Sequence, residues 1–482
     1  MKMKGVFFAC TVIVILFTPA AGLADGFADV CSWDGFNPNF HGVGDNPEGY
    51  SGAVTDGRYI YFAPSINDGG WHGEVLRFDT VGVYNDVSSW ATFDASAAGV
   101  GVNPKGFWGC VFDGRYVYFI PYRNAGGYHG EVLRCDTTGV FDHVSSWAAF
   151  DPGANGVGVR NDGYFGGAFD GRYIYFSPLR DAAGFYGEIM RLDTTGDFES
   201  VSSWITFDAG AYGVGRKYGY AGAIFDGRYM YFVPNATTNT SHHSEVRRYD
   251  TTGGFTDPAA WDAFDAAENG VGDNPVGYIG GVFDGRYVYF SPNWRESGYH
   301  GEFLRYDTAG GFEAVASWQA FNPGDNGVGD GLQGYYGGAF DGRYVYFVPN
   351  SNPAGYHADV LRFEVSGDFE DAGAWATFNP GAAGVSNQQG GYAGIIYHDH
   401  YVYFSPHRWA NAYGQFLRFD MATCPGDVNH DGEVNLSDLA QLLGHYNMTA
   451  EATCEDGDLD DDDDVDLGDL AALLAVYGDT CN

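Results

Sequence analysis

The 482-residue chain carries 63 acidic against 24 basic side chains, a formal net charge of −39, with 45% hydrophobic residues, 17% aromatics and 73 glycines. That charge argues against nucleic acid and anionic membrane surfaces as partners and favours cations, Ca²⁺ among them. So much aromatic and glycine content fits many short strands joined by tight turns, an all-β fold, and not a helical one.

At the N-terminus Lys2 and Lys4 precede an apolar run from Val6 to Phe17 and then Gly22-Leu23-Ala24. This pattern predicts a secretory signal peptide over residues 1–24, cleaved after Ala24, and hence a secreted protein, extracellular or at the cell surface. No later apolar stretch reaches about 20 residues, so no membrane insertion is expected. Six cysteines remain after Cys10 is removed, in a compartment that permits disulfides. Cys31, Cys424, Cys454 and Cys481 sit at domain ends, whereas Cys110 and Cys135 fall on the first and third strands of one repeat and are expected to be small core residues.

Seven aromatic strands built on Arg-Tyr-hydrophobic-Tyr-Phe follow at intervals of 56 to 58 residues, placing Tyr59, Tyr116, Tyr173, Tyr229, Tyr287, Tyr344 and Tyr401 in register, with His400 replacing the last Arg. The period is that of one propeller blade. The third copy reads Tyr164 to Pro178, then Gly187 to Thr194, then Ser203-Trp204 and Phe207, which makes four short strands. Asp170-Gly171 is a two-residue hairpin signal, Pro178 ends the second strand, and a Gly-Gly pair suits an innermost strand crowded at the axis. Arg77 and Asp79, two apart on one strand face, are expected to be structural partners between strands.

The chain supplies Ser32-Trp33 and Phe36, a fourth-strand element, before the first aromatic strand, and no such element after Arg418-Phe419-Asp420. The ring is therefore expected to close by pairing residues near 31–38 onto the last blade, with Cys31 near Cys424. Residues 25–422 form a monomeric seven-bladed propeller on this reading. Through the glycine pair, the aromatic second strand, the hydrophobic-Arg-aromatic-Asp third strand and the following Trp, the repeat resembles the kelch-like propellers.

Loops between second and third strands share one face with the connections between blades. This face gathers Trp71-His72, Tyr128-His129, Phe185-Tyr186, His242-His243, Tyr299-His300 and Tyr356-His357, with Trp294, Arg295, Arg408 and Trp409 nearby. Rings that stack on pyranose C–H faces beside polar neighbours suit a sugar, and the candidate ligand-binding residues are Trp71, His72, Tyr128, His129, Tyr299, His300, Tyr356 and His357. A residue that recurs once per blade also suits packing on the next blade. Glu74, Glu131, Glu188, Glu245, Glu302 and Asp359 recur in near-identical settings, which is poorly matched to a pair of catalytic carboxylates in two different roles. His side chains spaced one per blade are likewise too far apart for one ion unless they converge on the axis.

The segment after Cys424 holds sixteen Asp and Glu and no Lys or Arg. Asp427, Asn429, Asp431, Asn435 and Asp438 occupy positions 1, 3, 5, 9 and 12 of a calcium-loop spacing, with Gly432 at 6 and the Glu433 carbonyl at 7. Thirty-one residues later Asp458, Asp460, Asp462, Asp464, Asp466 and Asp469 repeat it, with Asp463 where Gly is expected. An amphipathic helix follows each loop, through Leu439, Leu442, Leu443 and Tyr446, then Leu470, Leu473, Leu474 and Tyr477. Two loop-helix units with a hydrophobic eighth position (Val434, Val465) resemble a type I dockerin over residues 423–482. That resemblance implies Ca²⁺-dependent folding and docking to a cohesin-type protein, with Leu436-Ser437 and Leu467-Gly468 facing the partner.

Together these features lead to the expectation of a secreted, calcium-binding, non-catalytic propeller that binds polysaccharide or a cell-surface glycan. A polysaccharide-degrading hydrolase or lyase, and a purely structural protein-interaction scaffold, are the alternatives. Repeated shallow sites favour binding over catalysis, which needs distinct groups in distinct roles.

Overall fold

A computed structural model describes residues 26–216, 219–385, 390–407, 414–421, 426–429, 433–450, 452–459 and 464–480. The expected signal peptide, Cys424, Cys481, Arg408, Trp409 and the expected ligands Asp431, Asp460 and Asp462 lie outside the described residues. Residues 29–422 form one compact unit, and the described residues 26–28 and 426–480 belong to a second. Among the described residues no helix is long and apolar enough to cross a membrane.

The larger unit is a seven-bladed β-propeller of antiparallel four-stranded blades. Blade one runs from inner to outer edge as Tyr50–Thr55, Tyr59–Pro64, Glu74–Asp79 and Trp90–Asp94. Its hairpin is set by Asp56, whose Oδ1 accepts from the amides of Arg58 and Tyr59 while Oδ2 accepts from the Tyr61 hydroxyl, and Gly57 takes a φ of 99°. Arg58 then donates to Asp79 at 2.9 Å, tying the second strand to the third. Asp79 is thus a structural partner as expected, but its partner is Arg58. Arg77 is instead sandwiched between Tyr59, 4.0 Å from its guanidinium carbon, and Phe141 of the next blade, at 4.2 Å.

The ring closes as its strand order requires. Trp33–Phe36 pairs antiparallel with Phe416–Asp420, Trp33 opposite Phe419 and Phe36 opposite Phe416, and the two rings of the first pair stack at 4.7 Å. Inner strands meet around the axis through one glycine each. A Cβ on Gly52 would lie 2.8 Å from the Gly109 Cα, one on Gly280 2.8 Å from the Gly337 Cα, and one on Gly394 2.6 Å from the Gly52 Cα, so no larger residue fits there. Between blades, each outer-strand Trp is buried, and Trp90, Trp147 and Trp204 donate their indole N–H to the carbonyls of Tyr84, Phe141 and Phe198. Cys110 and Cys135 are free thiols in the core, while Cys31 and Cys454 are disulfide-bonded.

Blade four is irregular. Its second strand extends over Tyr229–Thr238 and carries the short strand Ser241–His242 into the same sheet, where other blades form a separate two-residue ribbon such as Trp294–Arg295 with Gly298–Tyr299.

In the smaller unit, helices α1 (Leu436–His445) and α2 (Leu467–Ala475) each start from a capping box, Asn435 with Asp438 and Asp466 with Asp469. Val434 exchanges backbone hydrogen bonds with the segment after α2, through Gly478 and Asp479, and Val465 does the same after α1 with Asn447 and Met448. The eighth residue of each loop thus pairs with the end of the other unit. Val428, Val434, Leu442, Val465 and Leu473 form the core between them.

Candidate functional site

The aromatic–histidine pairs of the variable face are divided between two tasks. The rings of Trp71, Tyr128, Phe185, His242, Tyr299 and Tyr356 lie half-buried over glycines of the following blade, Gly106, Gly163, Gly219, Gly277, Gly334 and Gly391. A flat ring needs a flat seat, and each of these glycines leaves one. His72, His129, His243, His300 and His357 turn inward and are buried, with His72 Nε2 against the Gly49 carbonyl at 3.3 Å and His357 Nε2 against that of Gln333 at 2.8 Å. Burial pushes the imidazoles of His72 and His129 down to about 4 and those of His243 and His300 to about 3, so they are neutral near pH 7. What these pairs leave for a ligand is the exposed edge of each ring, while the histidines hold the loops.

The recurrent carboxylates are engaged as well. Glu74 accepts from the amides of Asp45 and Asn46, Glu131 from Val102 and Asn103, Glu188 from Val159 and Arg160, and Glu302 from Asp273 and Asn274. Each anchors the Gly-Val-Gly connection that enters its own blade, an anion bound by consecutive backbone N–H groups. Asp359 pairs instead with His357 Nδ1 at 3.0 Å and accepts from Asn379 at 2.8 Å.

Near-identical blades nonetheless leave two unlike clefts. One, of about 380 Å³, opens between the ribbons of blades five and six and is lined by Tyr299, Tyr336 and Tyr356 with Asn350, Ser351 and Asn352. Trp294, 41% exposed, stands perpendicular to Tyr299 at 4.6 Å. The other, of about 330 Å³, lies between blades three and four and is lined by Val159, Arg160, Phe185, Tyr186, Glu188 and Asp208. Between them an aromatic plug crosses the axis. Trp108 of blade two stacks on Phe165 at 4.2 Å and reaches Tyr336 of blade six at 6.2 Å and His407 of blade seven at 4.8 Å. Tyr336, Asn350, Ser351, Asn352 and Asp208 were not singled out from sequence. Tyr336 belongs to a column that differs from blade to blade, Ser51, Trp108, Phe165, Ala221, Ile279, Tyr336 and Ala393 along the inner strands, whereas Asp208 repeats Asp94, Asp151 and Asp265 and carries no such signal.

In the smaller unit the described loop residues converge in part. Asp427, Asp438, Asp458 and Asp469 are buried. Asp438 accepts from the amides of Asn429 and Asn435, and Asp469 from those of Leu459 and Asp466. One carboxylate oxygen from each of Asp464, Asp466 and Asp469 lies within 4.8 Å of the others. Three like charges this close repel unless a cation lies among them, and an all-oxygen donor set suits a hard divalent ion. The Asp464 side chain, at loop position 7, joins this group, where the loop pattern assigned that position a carbonyl. Glu433, the matching residue of the first loop, forms a β-bridge with Thr480.

No family model and no curated protein matches this sequence. Among solved structures the chain is similar to the computationally designed Ika8 protein, at 8% identity and a TM-score of 0.42, over 80% of this chain and 98% of that one.

Proposed function

We infer that this is an exported, calcium-binding protein in which a non-catalytic, kelch-like propeller binds carbohydrate and a dockerin-like C-terminal unit ties it to a cohesin-type partner. The observation that carries the carbohydrate reading is the cleft of about 380 Å³ between blades five and six, where three tyrosines stand beside Asn350, Ser351 and Asn352 and Trp294 packs edge-on against Tyr299. Rings offer stacking surface to a pyranose, and amide and hydroxyl groups bond its hydroxyls. The non-catalytic reading draws on Glu74, Glu131, Glu188 and Glu302, whose oxygens already accept from loop amides.

In the smaller unit, Asp427, Asn429, Asp431, the Glu433 carbonyl, Asn435 and Asp438 would hold one Ca²⁺, and Asp458, Asp460, Asp462, Asp464, Asp466 and Asp469 a second. The ion would supply the positive charge that lets the acidic loops close. For docking, the reading draws on the exposure of Leu436 and Leu443 on α1 and of Leu467 and Leu474 on α2, seven apart on each helix and repeated after 31 residues.

A polysaccharide and glycan panel scored for both retention and cleavage, with Ca²⁺ and with chelator, tests the whole reading. Retention without product release is the expected result, and the double variant Tyr299→Ala/Tyr356→Ala should weaken it about tenfold or more. Product release that a single carboxylate change abolishes would replace this reading by the hydrolase or lyase alternative. Undiminished binding in the double variant would move the site away from this cleft.

A further inference from the structure

Blade four departs from the others at Arg247, and the residue facing it, Asp208 at the end of blade three, departs from its own equivalents. The third strand of the remaining blades buries an apolar side chain at Leu76, Leu133, Met190, Leu304, Leu361 and Leu417, and here that position is Arg247, whose side chain is 0% exposed. Its Nη2 donates to the Arg216 carbonyl and to Glu245 Oε1, and its guanidinium lies 5.1 Å from the Tyr220 ring. Nε and Nη1 have no hydrogen-bond partner, and Nη1 stands 3.9 Å from Asp208 Oδ1. The second departure is Asp208 itself. Asp94, Asp151 and Asp265, its equivalents, each cap the loop that follows by accepting from the amides of Ala97, Ala154 and Glu268. Asp208 makes no such cap, and its Oδ1 is buried without a hydrogen-bond partner.

A guanidinium where the other blades put leucine carries a desolvation cost, which Glu245 and the Arg216 carbonyl offset at Nη2 but which nothing within hydrogen-bond distance offsets at Nε and Nη1. Stability therefore does not account for the exchange, and buried polar atoms left unmatched point to a role outside the core. Asp208 lines the cleft between blades three and four, with Arg247 behind it.

We propose that this cleft is a second binding site, for a neutral hydroxyl-rich ligand of the sugar class, with Asp208 as the acceptor for ligand hydroxyls and Arg247 as the positioning residue that keeps the carboxylate turned into the cleft. Arg160, paired with Asp181, lines the cleft together with Glu188 and Asp208. That mixture disfavours a ligand of either net charge and suits one that both donates and accepts. Glu188 already accepts from Val159, Arg160 and Thr206, so Asp208 is the carboxylate with capacity to spare, and the Phe185 ring supplies the apolar wall. The site rests on the carbohydrate reading of this face but is separate from the cleft of blades five and six.

The test uses the full chain in a Tyr299→Ala/Tyr356→Ala background, so that remaining binding reports this cleft, with neutral and uronic-acid oligosaccharides as probes in titration calorimetry. Neutral oligosaccharides should be retained in preference, and Asp208→Asn should weaken them about tenfold or more. Arg247→Leu, which restores the residue of the other blades, should keep or raise Tm and yet lower affinity by a similar factor. Background-level affinity in both variants overturns the proposal, as does preference for the uronic acids or a Tm loss in Arg247→Leu with binding unchanged. If the double background alone abolishes all binding, this site is gone while the carbohydrate reading stands; if the wild-type chain retains no sugar, both fall.

Discussion

The two units solve the problem of buried charge in opposite ways. In the propeller, Glu74, Glu131, Glu188 and Glu302 each meet backbone N–H groups of the connection that enters their own blade, as Glu74 does with Asp45 and Asn46, beside extensive apolar cores between blades. The smaller unit has a modest core around Val434, Leu442, Val465 and Leu473, and against it four buried aspartates, with the oxygens of Asp464, Asp466 and Asp469 crowded within 4.8 Å. The first arrangement is self-sufficient, whereas the second, on the calcium reading, would be completed by a cation. If so, a chelator should separate them. We expect EGTA to abolish the helicity of residues 436–445 and 467–475 and their amide protection while the propeller strands stay protected, because ion binding and folding are one equilibrium in such loops. Hydrogen exchange read segment by segment makes the measurement, and helices that stay protected in EGTA would break the comparison.

A smaller effect, of acid, should fall on the propeller. Burial holds His72 and His129 down to about 4 and His243, His300 and His407 to about 3, against 6.5 for a solvated imidazole. The unfolded chain therefore takes up protons first as the pH falls. Stability from these groups is complete above about 6.5, declines as the pH drops through the interval down to about 3 to 4, and levels off below it. Thermal melts of the propeller between pH 7 and pH 4 should show Tm falling continuously. His407→Leu should lessen the slope without lowering stability at neutral pH, because neither nitrogen of that buried ring has a hydrogen-bond partner. A Tm independent of pH over this range would mean that the imidazoles are solvated.

Much of the fold was legible because each element occurs seven times and each copy carries the same constraint. The early Trp33 and the missing element after Asp420 sufficed to place the closing strand, and Trp33 pairs with Phe419. Roles on the variable face were harder to read. Sequence shows that His72 and Glu74 recur, but not that both turn inward, since that depends on where the Gly-Val-Gly connection that enters the same blade passes. The cleft of blades five and six was hard to read because Asn350 repeats Asn235 and Asn293 and Asn352 repeats Asn67 and Asn124, leaving little but Tyr336 to set it apart. Arg247 was visible as a break in a column of leucines, yet its meaning needed Asp208, 39 residues earlier in the chain, to be seen beside it.

The axis offers the finest test of what makes the propeller self-sufficient. Gly52 recurs in all seven blades and Gly57 in six, with Asp399 at a φ of 55° in the seventh, and the two serve for different reasons. Gly52 has an ordinary φ and a Gly109 Cα 2.8 Å from where its Cβ would be, whereas Gly57 has a φ of 99° and nothing within 4 Å. Gly52→Ala therefore tests crowding alone and should cost about 1–3 kcal/mol as the inner strands are forced apart. Gly57→Ala tests backbone strain alone and should cost about 1–2 kcal/mol, with the ring geometry untouched. The two separate further by pairing each with Gly109→Ala. Gly52 and Gly109 touch, so their costs should fail to add, while Gly57 and Gly109 should add within about 0.5 kcal/mol. Additivity in both pairs would mean that the inner strands adjust independently, and that the axis is not what locks the seven blades together.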